Sequence, residues 1–314
     1  MPQPPLPFDA KATAAQAIAV VIPHLNQPDF LARCLESLSR MTRQPDEIIV
    51  VDNGSKQMPE AVCARYPNLR LVQELTPGPG PARNLGAALT TAPIVAFIDA
   101  DCLADAGWLT QAASAMADPA THILGGDVRI ALADPRRVTM LEAYESIYAY
   151  RMDRYIAREG FTGTGNLVVR RAVLNRVGPF GGLDVAEDRD WGQRATKLGE
   201  VIHYVPGMKV YHPARQRFSE LVQKWDRHMS HDIIRARTRP LWRLRWGAKT
   251  LAMGGSPLAE LPRIMASDRI TGLRARMLAF AGLVRIRLYR MRRMAGLLAG
   301  TTDPQALAGR WNRG

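Results

Sequence analysis

The apolar positions in the first third of the chain come in short continuous runs separated by helical spacings. Residues 17–23, AIAVVIP, are a β-branched run closed by proline, the pattern of a buried strand. Over 28–42 the apolar positions Phe30, Leu31, Cys34, Leu35 and Leu38 recur at helical intervals. EIIVVDNGS (47–55) predicts a second strand ending in turn residues, 59–66 a helix, and LRLVQ (69–73) a third strand. The loop ELTPGPGPARNLG (74–86) leads into a helix through Ala87 to Thr90, and IVAFIDAD (94–101) is a fourth strand. Strands that are apolar throughout and alternate with helices predict an α/β fold with a mostly parallel sheet covered on both faces. Such sheets bind ligands beyond the carboxyl ends of their strands. PHLN (23–26), DNGS (52–55) and DAD (99–101) should therefore converge on one crevice.

Further along, 122–130 predicts a strand and 138–157 a helix. Residues 163–180 read as a Gly-rich turn, a strand and a short helix. Residues 186–199 read as a helix with a glycine stop and 201–212 as a strand. From about residue 216 the chain is helical and rich in arginine.

Charge divides the chain. The net charge is +13, yet residues 215–314 hold 21 Lys and Arg against 6 Asp and Glu, leaving 21 against 23 for residues 1–214. A basic C-terminal third predicts contact with an anionic surface. No recognisable nucleic-acid module accompanies it, so no nucleic acid is expected as partner. No stretch approaches the about 18 apolar residues of a membrane span. Residues 1–16, Pro-rich then Ala-rich, read as a flexible tail and not a signal peptide. Three scattered cysteines, Cys34, Cys63 and Cys102, predict no disulfide framework and a cytoplasmic setting.

The chemistry centres on FIDADC, residues 97–102. A parallel sheet invites a dinucleotide reading, but the segment after the first strand, PHLNQPDF, has no glycine fingerprint. Asp99 and Asp101, at i and i+2 after a buried strand, point to one side of an extended chain. One acid there would be an ordinary cap or turn residue. Two can share a hard cation, Mn2+ or Mg2+, or divide its ligands with a ribose hydroxyl. The expected ligand is a metal-bound diphosphate. Cys102 is expected to be a small filler, because a thiolate is too soft for such a metal.

The ordered series VVIPHLN, IIVVDNGS, GPARNLG, FIDADC, GTGNLVVRR, AEDRDWGQRATKLG and VYH resembles the family 2 glycosyltransferases of GT-A fold, across roughly residues 17–215. The resemblance implies an inverting enzyme, of hexosyltransferase class, with a nucleotide-diphosphate sugar as donor. Pro23 and Asn26 would lie under the base, Asp52 or Asn53 would meet it, and Arg83 would reach a phosphate or base edge. Many members carry two acids where this chain has Asp52 and Asn53, which leaves open the side chain that meets the base. Asp99 would hold the ribose, and Asp101, with His212, the metal. Asp188 would be the catalytic base, with Glu187 beside it. Gly163, Thr164, Gly165 and Asn166 would line the acceptor side, and Trp191 would either stack on the acceptor or pack in the core. The acceptor would be a glycan or lipid-linked hydroxyl in cell-surface polysaccharide or glycolipid synthesis. Two other readings remain: a sugar nucleotidyltransferase on a related sheet, and a non-catalytic scaffold at a membrane surface.

The expected organisation is a tail (1–16), a GT-A catalytic domain (17–215, with a nucleotide-binding half over 17–102 and an acceptor half over 103–215) and a helical basic extension (216–314). In 273–298 the positions Leu273, Met277, Phe280, Val284, Leu288, Met291 and Leu298 keep a three-to-four spacing among arginines. This resembles an interfacial helix on anionic lipid, or else a helix packed on the protein with a solvated face. RARTRPLWRLRWGAK (235–249) interleaves Arg and Trp in the same way. Together with what the family resemblance implies, these suggest a peripheral protein at the inner face of the cell membrane.

Overall fold

The computed structural model describes residues 17–304; the proposed tail at 1–16 and the last residues of the basic extension lie outside the described residues. The chain forms two compact units. Among the described residues, one comprises 17–129 together with Tyr150–His212; the other comprises Ile130–Ala149 and 213–304. Residues 130–149, which the sequence reading kept within the catalytic region, thus cluster with the C-terminal helices.

An eight-stranded sheet runs in the order β3-β2-β1-β4-β7-β6-β8-β5. Its strands are β1 (Ile18–His24), β2 (Glu47–Asp52), β3 (Leu69–Gln73), β4 (Ile94–Phe97), β5 (Leu103–Ala104), β6 (Ile123–Ala131), β7 (Leu167–Arg170) and β8 (Ile202–Pro213). The first four are mutually parallel; β1 and β4 are buried and almost wholly apolar, while β3, at the sheet edge, exposes Arg70 and Gln73. β7 turns antiparallel against β4 and β6. Alternation along β1 sends Ile18, Val20 and Ile22 to one core and Val21 to the other, so both faces of the sheet are buried.

The first unit carries the helices α1 (Pro28–Ser39), α2 (Glu60–Cys63), α3 (Pro79–Leu89) and α4 (Trp108–Met116). The start of α3 departs from expectation, because the prolines of the 74–86 loop open the helix instead of breaking it. Pro79 sits in its first turn, where the missing N–H costs nothing. Gly78, at φ +123°, supplies the entry that a side chain would resist.

α5 (Met140–Tyr148) belongs to the second unit and α6 (Met152–Glu159) to the first. The sequence pattern joins them into one helix over 138–157. The chain breaks between them at Tyr150, which takes φ +48°. The first unit closes with α7 (Arg171–Val177) and α8 (Glu187–Lys197).

The second unit adds α9 (Phe218–Arg237), α10 (Trp242–Ala259), α11 (Leu261–Ala266) and α12 (Leu273–Ala299). Its core joins Leu141, Tyr144 and Ile147 of α5 to Ala279, Leu283 and Ile286 of α12. A second cluster joins Met229 and Ile233 of α9 to Trp246, Met253, Met294 and Leu297. The face of α12 that packs in the unit carries Ala275, Ala279, Leu283, Ile286, Met294 and Leu297, whereas Leu273, Met277 and Leu288 of the apolar stripe stay exposed. Arg285 and Arg290 lie over the rings of Phe218 and Trp225 at 4.0 and 3.7 Å.

Candidate active site

The sheet register assembles the acidic motifs. β4 ends at Phe97 opposite Leu167, so the 163–166 turn preceding β7 faces the chain that carries Asp99 and Asp101. Leu103 pairs with Tyr211, which brings His212 to Asp101, Nε2 to Oδ2 3.4 Å. Gly165 lies against Asp99 so closely that a Cβ there would stand 2.6 Å from Asp99 Oδ2. A Cβ on Gly163 would stand 4.0 Å from Asp188 Oδ2.

Arg83, on α3, ties the two acidic motifs together. Its side chain is 3% exposed and donates from Nη2 to Asp99 Oδ1 (2.5 Å) and from Nη1 to Glu187 Oε1 (2.9 Å). Burial works against its charge, but Asp99 and Glu187 more than offset that and push its pKa up. Its Nε is buried without a partner among the described residues. Asp188, next to Glu187 in the first turn of α8, has its carboxyl raised by burial and by the Glu187 charge, against the pull of the Arg189 N–H. Burial likewise raises the Asp101 carboxyl; His212 opposes the rise and Asp99 adds to it.

Asp99, Asp101 and the Cys102 sulfur have ligand atoms within 4.8 Å of one another. Cys102 is buried, its thiol donates to Asp101 Oδ1 (3.7 Å), and burial beside two acids pushes its pKa far up. A protonated thiol is no ligand, so the usable donors are carboxylate oxygens and the His212 imidazole. That hard donor set, crowded enough to raise an Asp pKa, fits Mn2+ or Mg2+.

Pro23, Asn26, Asp52 and Asn53 gather at the ends of β1 and β2, but their side chains are used by the protein itself. His24 and Asp52 are register partners, and His24 Nδ1 meets Asp52 Oδ1 at 2.8 Å in full burial. His24 Nε2 accepts from the Gln27 N–H (3.1 Å), which makes Nδ1 the donor to Asp52. Burial would raise the Asp52 carboxyl, but hydrogen bonds from Ser55 and His24 hold it below its usual value. Asn26 caps the neighbouring turn, accepting from the Lys56 N–H (2.9 Å). Asn53 Nδ2 donates to the carbonyls of Glu74 (3.0 Å) and Thr76 (2.8 Å), and its Oδ1 accepts from the Gly78 N–H (2.7 Å). The side chains of both Asp52 and Asn53 are thus engaged by the protein's own groups.

Two of the acceptor-side candidates, Trp191 and Asn166, are buried. Trp191 is 2% exposed, packed against Phe180 and donating from Nε1 to the Gly178 carbonyl (3.0 Å); it is core. Asn166 is fully buried and braces the sheet, donating to the Asp127 and Met208 carbonyls and accepting from Trp108 Nε1 (2.8 Å). Thr164 is also buried, while Gly163 and Gly165 remain half-buried at the site. Sequence reasoning missed His24, whose place in PHLN opposite a strand-end acid was a usable signal. It also missed Tyr150, for which no signal existed. Tyr150 packs against His212 with the rings tilted by 34° (centroids 4.6 Å), and its hydroxyl lies 3.0 Å from His212 Nε2.

A parallel α/β sheet that collects acids beyond its carboxyl ends, followed by antiparallel strands that return a histidine and a glycine turn to the same place, defines the GT-A class of transferase. Comparison with known proteins agrees. The family model "Glycosyl transferase family 2" matches residues 19–178. Glycosyltransferase AglE of Haloferax volcanii is 32% identical over 215 residues, spanning 66% of this chain and 70% of AglE. The pre-mycofactocin glycosyltransferase of Mycobacterium tuberculosis is 26% identical over 224 residues, spanning 66% of this chain and 45% of that protein. Among solved structures, the mannosyltransferase PcManGT of Pyrobaculum calidifontis superposes with a TM-score of 0.52 at 19% identity, covering 95% of this chain and 88% of that one. S. aureus TarS 1–349 gives 0.51 at 19% identity, covering 94% and 93%. The chain belongs to glycosyltransferase family 2 and is an enzyme of that class.

Proposed function

We propose that this glycosyltransferase moves a sugar from a nucleoside-diphosphate sugar to a hydroxyl of a glycan or lipid-linked acceptor, with inversion and with a divalent metal. The observation that carries the reading is the Arg83 bridge, which places the acids suited to the leaving group and to the nucleophile around one buried guanidinium. The solved complexes of PcManGT with GDP-Man and Mn2+ and of TarS with UDP-GlcNAc support the donor class.

In this reading Asp101 and His212 hold Mn2+ or Mg2+, and Asp99, fixed by Arg83, receives the ribose. The metal, when bound, supplies positive charge to the departing diphosphate. The loops at 23–26, 52–55 and 74–78, locked to one another by the hydrogen bonds of His24, Asn26 and Asn53, frame the base through backbone. Asp52 serves as the buried anchor of that frame. Asp188 takes the proton from the acceptor hydroxyl as its oxygen bonds to the anomeric carbon; the bond from that carbon to the diphosphate oxygen breaks on the opposite face. A carboxyl raised by burial and by Glu187 is a stronger base than a free one, which suits the task. Gly163 and Gly165 let the acceptor approach Asp188 and Asp99 without a side chain intervening. A cytoplasmic enzyme attached peripherally at the inner membrane face completes the reading.

A panel of nucleotide sugars, assayed for Mn2+- or Mg2+-dependent hydrolysis and transfer, tests it. Asp101→Ala should lose metal-dependent donor binding and transfer together. Donor binding by that variant at the parent's strength and with the parent's metal dependence would refute the metal assignment.

A further inference from the structure

One face of α12 lines a groove of about 580 Å3 in the second unit, a volume in the range of small-molecule sites. At about 100° per residue, Arg285, Leu288, Tyr289, Arg292, Arg293 and Gly296 together span about 140° of the helix, so they form one continuous face. That face runs roughly 16 Å at the helical rise. Phe218, at the start of α9, and Thr301 and Thr302, after α12, complete the lining. The chain folds back there, and the N–H groups of both threonines donate to the Gly296 carbonyl (3.0 and 3.3 Å). Gly296 permits the return, because a Cβ at that position would stand 2.5 Å from Thr302 Oγ1.

No acid lines the groove, and its three arginines are used unequally. Arg293 donates from Nε to the Tyr289 hydroxyl (2.8 Å) and lies 3.7 Å from the buried Asp226. Arg285 lies over the Phe218 ring at 4.0 Å, a placement that fixes the guanidinium while leaving the N–H donors at its edge open. Neither Arg285 nor Arg292 has a hydrogen-bond or ion-pair partner among the described residues. The chain beyond Pro304 contains no Asp or Glu that could supply one. Both arginines lie more than a turn before the end of α12 at Ala299, too far inside the helix for its dipole to account for them. Other cations of this unit stand beside acids, as Lys249 does beside Asp232 and Arg263 beside Glu260.

We infer that this groove binds a phosphate monoester of low mass, with its oxygens on the guanidinium groups of Arg285 and Arg292 and its organic part against Phe218 and Leu288. Charge selects the group. Arg285, Arg292 and Arg293 bring three positive charges and Asp226 answers one, leaving two. A phosphate monoester carries about −1.5 to −2 at neutral pH, whereas a carboxylate would leave one charge unanswered. The planar fork of arginine suits phosphate oxygens, which accept two N–H bonds at once. The inference goes beyond the transfer reaction proposed above and does not depend on it, since the residues given to donor, metal and base all belong to the first unit.

Calorimetry of the full chain in EDTA, with glycerol 3-phosphate and octyl phosphate as ligands, tests this. The parent should bind at least one of them, and R285Q/R292Q should bind it at least about ten-fold more weakly. R292Q alone, which alters an exposed residue with no partner to lose, should also bind more weakly and should keep the parent's melting temperature and donor hydrolysis. Asp101→Ala should bind as the parent does. The two ligands separate the sources of the phosphate. Octyl phosphate bound about ten-fold or more tightly than glycerol 3-phosphate, with the difference lost in L288S, marks a lipid phosphate; equal binding of the two marks a soluble monoester. Either result supports the site. Binding of neither ligand by the parent, or parental binding by both arginine variants, would overturn it. If Asp101→Ala loses the phosphate and the arginine variants keep it, the ligand sits in the first unit, and the inference falls while the proposed function stands. Phosphate bound through Arg292 by a chain that hydrolyses no nucleotide sugar would leave the inference standing and sink the proposed function instead.

Discussion

Replacing Asp188 with Asn should abolish transfer while leaving the fold as stable as before or more so. The carboxylate is destabilised by burial first and by the adjacent Glu187 charge second, and only the Arg189 N–H and Arg83 offset this. A carboxyl whose folded pKa is raised binds its proton more tightly in the folded than in the unfolded state. The penalty is therefore present at neutral pH and is relieved as pH falls through the folded pKa. Asn keeps an oxygen for the Arg189 N–H, which Asp188 Oδ1 accepts at 2.6 Å, and removes the charge. Against that gain stands the loss of one acid from the first turn of α8, worth about 0.3–1 kcal/mol through the helix dipole. The net effect should lie between neutral and about 1 kcal/mol stabilising, a shift of roughly 0 to +3 °C in melting temperature. Loss of a general base should lower kcat by about 100- to 10,000-fold. In the parent, transfer should decline as pH drops through the raised Asp188 pKa. The assay is transfer from a nucleotide sugar across a pH series, with donor binding by calorimetry and melting by differential scanning fluorimetry. Parental turnover in the variant would remove Asp188 from the mechanism, and a melting temperature lowered by several degrees would show that its charge stabilises the fold.

Arg83→Lys keeps the charge but cannot fork to Asp99 and Glu187 at once; a loss of about 2 kcal/mol in stability is expected by denaturant titration, together with weaker donor binding. Trp191→Phe should cost about 1 kcal/mol, the hydrogen bond to Gly178, and leave the acceptor KM unchanged; a raised KM would restore the stacking role that its burial denies. Tyr150→Phe removes the hydroxyl from His212 and should weaken Mn2+ binding by roughly ten-fold in calorimetry, with the metal-free affinity for nucleoside diphosphate unchanged.

The parallel half of the sheet was legible because a strand buried on both faces must be apolar along its whole length, as Ile18–Ile22 and Ile94–Phe97 are. The strand-end acids were legible because charge is costly next to such strands. What lay beyond local pattern was partnership. The contact of Arg83 with Glu187 spans 104 residues and that of His24 with Asp52 spans 28, and no spacing rule encodes either. The prolines at 79 and 81 read as a broken loop because their place within a helix's first turn depends on where the helix starts. The α12 stripe left two readings open for a related reason. A three-to-four spacing says that one face seeks apolar contact, but not whether a bilayer or a neighbouring helix provides it. The same holds for Leu244, Leu251 and Leu258 of α10, whose spacing is as regular and which the finished packing leaves exposed.

The charges of the site divide in a way that bears on how it works. Of the acid pairs Asp99/Asp101 and Glu187/Asp188, Arg83 contacts one member of each, Asp99 and Glu187. The two acids it does not contact, Asp101 and Asp188, have their carboxyls raised, chiefly by burial. One lies beside His212 and the other beside Gly163, where the proposed function would put the metal and the acceptor. In the proposed function a cation at Asp101 would relieve the first and the proton of an attacking hydroxyl the second. Arg83, by contacting one acid of each pair, would then keep donor binding and nucleophile activation apart.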